Sequence, residues 1–386
     1  MPFLLSSENT PRYLLDSNLI AKERLKNLQV NAGGHGKNFN LLVTLSPERQ
    51  LMIKQERHFN NGKTAKEFVN EWQFHQLLHN FNELNQLFST VSEVLHFDEK
   101  RSILVYKYLN NYSDLSQFYT QENIFPILIS STIGKNIAEL HRLTLERQDY
   151  CKFYQFPEKS SAYIYNNILN IERLSPKILG SIPDDCLKFF VLYQRFESLR
   201  SVIVELTQNW LFCCVTHNDL KLNNVLLHQD WQQFSQAEKP QENLIRLIDW
   251  ERSAWGDPAW DLGTLVASYL QLWLKSFIAD PSISIEESIK LSTTPLKIVQ
   301  PSIIVLLKSY LQHFPEILQR YPNFLQRVIQ VAGLALIESI RAQIEHQKYF
   351  GNNSIYMLQV AKGLLCRPEK SFITIFNITE TELAVM

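Results

Sequence analysis

Two spacings of apolar and polar positions run along this chain. Between residues 29 and 108 the pattern is strand-like. Apolar runs such as Leu41-Leu42-Val43, Leu51-Met52-Ile53 and Ile103-Leu104-Val105 are short and bounded by turns. The spacing predicts a strand pair around a glycine loop, a third strand over 51–55, and two more strands, 90–97 and 101–108, around Asp98-Glu99. Helical spacing predicts a short helix over 12–28 (Leu14, Leu15, Leu19, Leu25) and a longer one over 64–81 (Phe68, Trp72, Phe74, Leu78).

From about residue 130 the helical period takes over. Helices are predicted over 130–143, 163–174, 185–210, 262–277, 301–314, 323–347 and 354–365. The face of the 185–210 helix is Phe189, Leu192, Phe196, Leu199, Ile203 and Leu206. Residues 228–243 read as a polar surface hairpin, and the tail from Arg367 shows no clear pattern beyond Ile373-Thr374-Ile375-Phe376. The fold class is therefore α+β.

The chemistry concentrates in Val215-Thr216-His217-Asn218-Asp219-Leu220-Lys221-Leu222-Asn223-Asn224-Val225, a polar loop between apolar ends. Downstream, Leu244-Ile245-Arg246-Leu247-Ile248-Asp249 is an apolar strand ending in a carboxylate. Phosphoryl transfer from ATP asks for positioning and charge neutralisation more than covalent chemistry. Asp219 meets the acceptor hydroxyl as base or orienter. Asn224 and Asp249 supply the hard oxygens that hold Mg²⁺ against phosphates. His217 holds the loop by hydrogen bonds. A lone His-x-Asp is usually only a polar loop; the full spacing followed by strand and Asp carries the reading.

The two stretches HNDLKLNNVLL and IDWERSAWGDPAWDLG resemble the aminoglycoside phosphotransferase and choline/ethanolamine kinase superfamily, a branch of the protein-kinase-like fold. The resemblance covers roughly residues 30 to 265. It implies a two-lobed fold: a small first lobe, 1–109, that binds nucleotide and holds an antiparallel sheet and one long helix, and a larger, mainly helical lobe, 110–386. Lys54, at the end of the third strand, is implied to reach the α- and β-phosphates, with Glu71 as its partner rather than Glu67. The backbone of residues 106–108, including Tyr106 and Tyr108, is implied to bond adenine. Asp261 is implied to accept backbone N–H groups from the 217–224 loop, a structural role. Lys221 stands where protein kinases place a lysine and is a candidate for transfer, or else a solvent-facing residue. Glu251 reads as a solvated strand-end residue or an aid to metal or substrate. His141, in Leu140-His141-Arg142-Leu143, reads as a packed structural histidine.

Glycine is scarce, 11 residues in 386, yet Gly33, Gly34 and Gly36 fall together. Such a loop can lay N–H groups over phosphates, or simply turn a hairpin. A formal charge of −1 gives no general attraction to nucleic acid or anionic membrane. No apolar run reaches the ~18 residues of a membrane span, and the first residues lack the features of a signal peptide. Five cysteines with no Cys-x-x-Cys read as reduced thiols of a cytoplasmic protein.

The acceptor is the open question. From Leu262 onward nine Asp/Glu stand against eleven Lys/Arg, so there is no acidic surplus to bind a polycationic antibiotic. Aromatics there (Tyr269, Trp273, Phe277, Tyr310, Phe314, Tyr321, Phe324) read as helix core or as a cage for a quaternary amine. The expected activity is a kinase for a small-molecule hydroxyl: an amino alcohol, a sugar or an antibiotic-like compound. The alternatives are a protein or peptide kinase, against which the missing Ala-Pro-Glu signature speaks, and an inactive nucleotide-binding scaffold.

Overall fold

The computed structural model describes residues 3–33, 37–59, 62–153, 180, 182–234, 243–278 and 282–384. They form two compact units: Met1–Ser113 with Leu226–Ser253, and Asp114–Val225 with Ala254–Met386. The segment carrying Asp249 thus belongs with Lys54.

The first unit opens with helix α1 (Thr10–Asp16) and a 3-10 stretch over Lys22–Asn27, in place of the single helix expected over 12–28. Strands β1 (Gln29–Ala32), β2 (Phe39–Ser46) and β3 (Arg49–Gln55) come next, then helix α2 (Glu67–Asn80), β4 (Val94–Asp98) and β5 (Ile103–Lys107). The five strands make an antiparallel sheet in the order β1-β2-β3-β5-β4. Residues 90–93 lie outside β4: Thr90 ends a 3-10 stretch (Asn82–Thr90), and Val91 bridges to Leu247 instead. Alternation along a strand assigns the two faces. Leu51, Ile53, Ile103 and Val105 share one face with Leu5, Tyr13 and Leu14. Met52, Leu104 and Tyr106 pack on the other against Phe68 and Trp72 of α2. Lys54 has the parity of Met52 and pairs in register with Leu104, which puts it on the α2 face. A three-stranded sheet, β6 (Tyr112–Asp114), β8 (Val225–His228) and β9 (Ile245–Leu247), has the order β6-β8-β9. Residues 235–242 of the expected hairpin lie outside the described residues, and Trp231–Phe234 is a short helical turn.

The second unit is mainly helical. Its longer helices are α3 (Leu115–Glu122), α4 (Ile127–Thr144), α5 (Asp184–Gln194), α6 (Glu197–Gln208), α7 (Pro258–Lys275), α8 (Leu296–His313), α9 (Phe324–Gln347) and α10 (Asn352–Cys366). The helix expected over 163–174 lies outside the described residues. The single helix expected over 185–210 is two helices, broken at Arg195 and Phe196, where Phe196 leaves helical geometry at ψ 79°. The tail that showed no pattern forms two short helices, Pro368–Thr374 and Glu380–Ala384. α4 meets α8 at Gly134, where a Cβ would collide with the Leu306 carbonyl oxygen. Strands β7 (Cys214–Thr216) and β10 (Ala254–Gly256) pair antiparallel and frame the 217–224 loop. α7 starts with a good N-terminal signal: Asp257 caps it by accepting from Ala259 N at 2.9 Å, and Pro258 takes the first turn.

Candidate active site

In the first unit, Lys54 makes its ion pair with Asp249. Its ammonium also lies 5.2 Å from the centre of the Tyr106 ring. Burial pulls the Lys54 pKa down, but Asp249 and Glu71 outweigh it and the net shift is upward. The ammonium is therefore held charged. Glu71, expected as its partner, acts on it electrostatically without a direct ion pair. The reason is desolvation: Glu71 is 1% exposed. Burial drives its pKa up to about 8, against the opposing pull of Lys54. Burial thus disfavours the Glu71 carboxylate, and the ammonium pairs with the more accessible Asp249. Burial, with Glu71 beside it, also raises the Tyr106 pKa.

Asp249 sits in the left-handed region at φ 62°, uncommon for a residue with a side chain. The two residues after it are firmly anchored. Trp250 is buried, donates its indole N–H to Leu247 O at 3.2 Å, and stacks on Phe74 of α2 at 3.8 Å between ring centres. Glu251 is no free surface residue: Asn38 Nδ2 donates to its carboxylate and Asn70 Nδ2 to its backbone carbonyl, each at 3.3 Å. Burial, then the neighbouring Glu67, pushes its pKa up. Glu67, the other candidate for Lys54, pairs with Lys37.

In the second unit the 217–224 loop is built around Asp261. This fully buried carboxylate accepts the backbone N–H of His217 at 2.7 Å and of Asn218 at 2.9 Å, one on each oxygen. His141 Nε2 lies 3.2 Å from Asp261 Oδ2 and His141 Nδ1 3.0 Å from the Tyr310 hydroxyl, so His141 is packed in a buried polar chain. Asn218 takes a left-handed conformation at φ 63°. It is held there by Thr216 Oγ1 donating to its side-chain oxygen at 3.0 Å and the Trp260 indole donating to its carbonyl at 3.1 Å. His217 Nδ1 accepts the Asp219 backbone N–H at 3.3 Å. Asn224 Nδ2 donates to the Asp219 carbonyl at 2.8 Å and to its carboxylate at 3.3 Å. That fixes the amide so that Oδ1 is not the atom engaged by Asp219. Lys221 Nζ lies 3.2 Å from Asp219 Oδ2 and is substantially exposed.

The glycine loop is described only in part. Gly33 N–H donates to Asn40 O at 2.9 Å, and a Cβ on Gly33 would come within 3.0 Å of the Asn40 and Leu41 backbone, so the strands close tightly here. Gly34 and Gly36 lie outside the described residues. Tyr106 is buried in β5, and Tyr108 is exposed beyond its end. The backbone expected to bond adenine is partly engaged within the chain: Lys107 N donates to Glu93 O and Tyr108 N to Gln50 O, both at 3.0 Å. Sequence reading missed Glu56, whose buried carboxylate binds the start of α2; a single Glu after a strand carries no signal in the sequence.

The antiparallel five-stranded sheet followed by a mainly helical region is a kinase-like fold. It aligns with an ethanolamine kinase of Plasmodium vivax at TM-score 0.54 and 13% identity, over 93% of this chain and 88% of that one. Residues 104–289 match the family model for choline/ethanolamine kinase. A choline kinase of Streptococcus pneumoniae aligns at 17% identity and TM-score 0.48, over 93% of this chain and 98% of that one. A streptomycin–ATP complex of an aminoglycoside phosphotransferase aligns at 13% identity and TM-score 0.49, over 94% and 99%. No curated protein matches significantly. At these identities the structural likeness is one of fold.

Proposed function

We propose that this chain is an ATP-dependent phosphotransferase that moves the γ-phosphate to the hydroxyl of a small molecule. The observation that carries the reading is the Asp219–Asn224 arrangement, in which one amide nitrogen ties down the Asp219 backbone and carboxylate together. Asp219 is the base or orienter for the acceptor hydroxyl, and Lys221 beside it offsets charge during transfer. Asn224 and Asp249 are the metal residues. The donor set fits Mg²⁺, since a carboxylate and an amide oxygen are hard ligands and Asn224 offers Oδ1 while its nitrogen is engaged. Asn224 and Asp249 would hold Mg²⁺ there, and the ion would supply neutralisation of phosphate charge. Lys54, held charged by its acidic neighbours, is the cation for the inner phosphates, and Glu71 backs it. Gly33, Gly34 and Gly36 cover the phosphates, and the 106–108 segment borders the adenine. His217 and Asp261 hold the loop.

The related structures' names point toward amino alcohols and aminoglycosides, and we take a small polar hydroxyl compound as the acceptor class. Lobes divided near residue 109 remain our reading of the sequence pattern. Among the described residues no helix is long and apolar enough to cross a membrane. We place the protein in the cytoplasm, where its free cysteines stay reduced. The test is phosphate transfer from labelled ATP across a library of amino alcohols, sugars and aminoglycosides, with and without Mg²⁺. Transfer abolished by Asp219→Ala and by metal removal supports the reading. Tight ATP binding with no transfer to any hydroxyl compound refutes it.

A further inference from the structure

Helix α2 begins without a cap of its own. Its N-cap residue, Lys66, is left-handed at φ 61° and makes no side-chain capping bond. The opening N–H groups of a helix lack intrahelical partners and need acceptors. Here they come from the sheet. Glu56 Oε1 accepts from Glu67 N at 2.6 Å and from Phe68 N at 3.4 Å. The other carboxylate oxygen accepts from the Ser102 hydroxyl, and Glu56 N donates to Ser102 O at 3.1 Å. The residue is 2% exposed. One buried carboxylate, just past the end of β3, therefore binds α2 and the β4–β5 turn at once.

The spacing gives this contact its consequence. Glu56 follows Lys54 by two residues and shares its face of the sheet. Glu71 follows Glu67 by about one helical turn. Two adjacent amides gripped by one oxygen fix both the height and the rotation of the helix start. A shift of that start moves Glu71 relative to Lys54. The Asn70 bond to the Glu251 carbonyl also holds the first turn, from the Asp249 segment, and the Phe74–Trp250 stack holds the helix further along. Glu56 is thus the anchor on the Lys54 side.

We propose that Glu56 is a positioning residue for the nucleotide site: it sets α2 on β3 and so places the Glu71 carboxyl against the Lys54 ammonium. The inference rests on the kinase reading above and deepens it. Glu56 acts through α2 and touches no phosphate.

The experiment is calorimetric titration of the full chain with Mg-ADP. Glu56→Ala is expected to bind at least about tenfold more weakly, the scale of one lost charge-assisted hydrogen bond. Glu56→Gln keeps Oε1 for the two amides and can donate to Ser102 Oγ, so it is expected to stay within about threefold of the unaltered protein. Ile20→Ala, on the opposite face of the sheet, controls for loss of stability alone: it lowers the melting temperature and leaves affinity unchanged. Should Glu56→Ala fail to fold, amide exchange in the unaltered chain decides. Mg-ADP is expected to slow exchange at Glu67, Phe68 and Glu71 together; binding that leaves these amides unchanged overturns the proposal. Lys54→Ala separates the two failures. If it loses Mg-ADP while Glu56→Ala keeps it, the positioning role falls and the kinase reading stands. If Lys54→Ala binds Mg-ADP like the unaltered chain, the nucleotide site itself has been misassigned.

Discussion

Removing the Asp261 carboxylate tests whether one buried side chain holds the 217–224 loop. Asp261→Ala removes the carboxylate that accepts the His217 and Asn218 N–H groups in a fully buried place. An unsatisfied buried donor costs about 1–3 kcal/mol, so the pair costs about 2–6 kcal/mol. His141 also loses its Nε2 neighbour. A domain holds about 5–15 kcal/mol in all, so the loss is a large share of the total. Asp261→Asn keeps one acceptor oxygen but turns an NH₂ toward the second donor, and is expected to lose roughly half as much. The assay is urea unfolding followed by circular dichroism and by tryptophan emission, since the Trp260 indole bonds the same loop. The expected order of stability is wild type, then Asn, then Ala, with unchanged denaturant slopes. A loss below about 1 kcal/mol for Asp261→Ala would refute the reasoning, because water or a relaxed backbone would then be satisfying both amides.

Other groups give further expected outcomes. Asp219→Asn is expected to lower phosphate transfer by about 10²–10⁴-fold with little change in melting temperature, as removal of a base or orienter should; a loss of only a few-fold would reassign Asp219. Glu71 binds its proton up to about pH 8 in the folded chain but only to 4.5 as a free side chain. The folded state holds the extra proton between those values, so stability falls as pH rises from about 4.5 to 8. Glu71→Gln should flatten that slope in melts from pH 5 to 9, and parallel slopes for the two proteins would count against it. Gly134→Val should cost about 1–3 kcal/mol by forcing α4 off α8, where Ser309 Oγ donates to Ser131 O at 2.7 Å; an unchanged urea midpoint would show that the helices can separate freely.

Legibility from sequence tracks how local each determinant is. The Asp219 and Asn224 pairing spans five residues, and spacing alone brings them to one loop. Lys54 is placed by parity, since two-residue alternation puts it on the face of Met52 once the strand is recognised. Periodicity misleads where it outlasts the structure. The run Phe189, Leu192, Phe196, Leu199 continues in sequence across the break at Arg195–Phe196, with no Gly or Pro to mark it, although only Phe189 and Leu199 of the four are buried. The tail helices were hidden for the opposite reason: Pro368–Thr374 is too short for a period to emerge, and buries little more than Ser371 and Phe372.

The pairing of Lys54 is illegible for a deeper reason. The sequence offers it Glu67 and Glu71, which lie near it along the chain, whereas Asp249 is 195 residues away. Choosing among three carboxylates needs their desolvation, and desolvation is a property of the packed unit. Glu71 is buried and keeps a proton to about pH 8; Glu67 is engaged by Lys37; Asp249 stays accessible. The ammonium follows the negative charge that burial leaves in place. A divalent cation at Asp249 would compete with that ammonium for the same oxygens, so Lys54 and metal affinity are coupled with opposite sign. Lys54→Met should therefore strengthen Mn²⁺ binding to the nucleotide-free chain, read by paramagnetic relaxation of water protons. Weaker binding in that variant would mean that Lys54 organises Asp249 for the metal rather than shielding it.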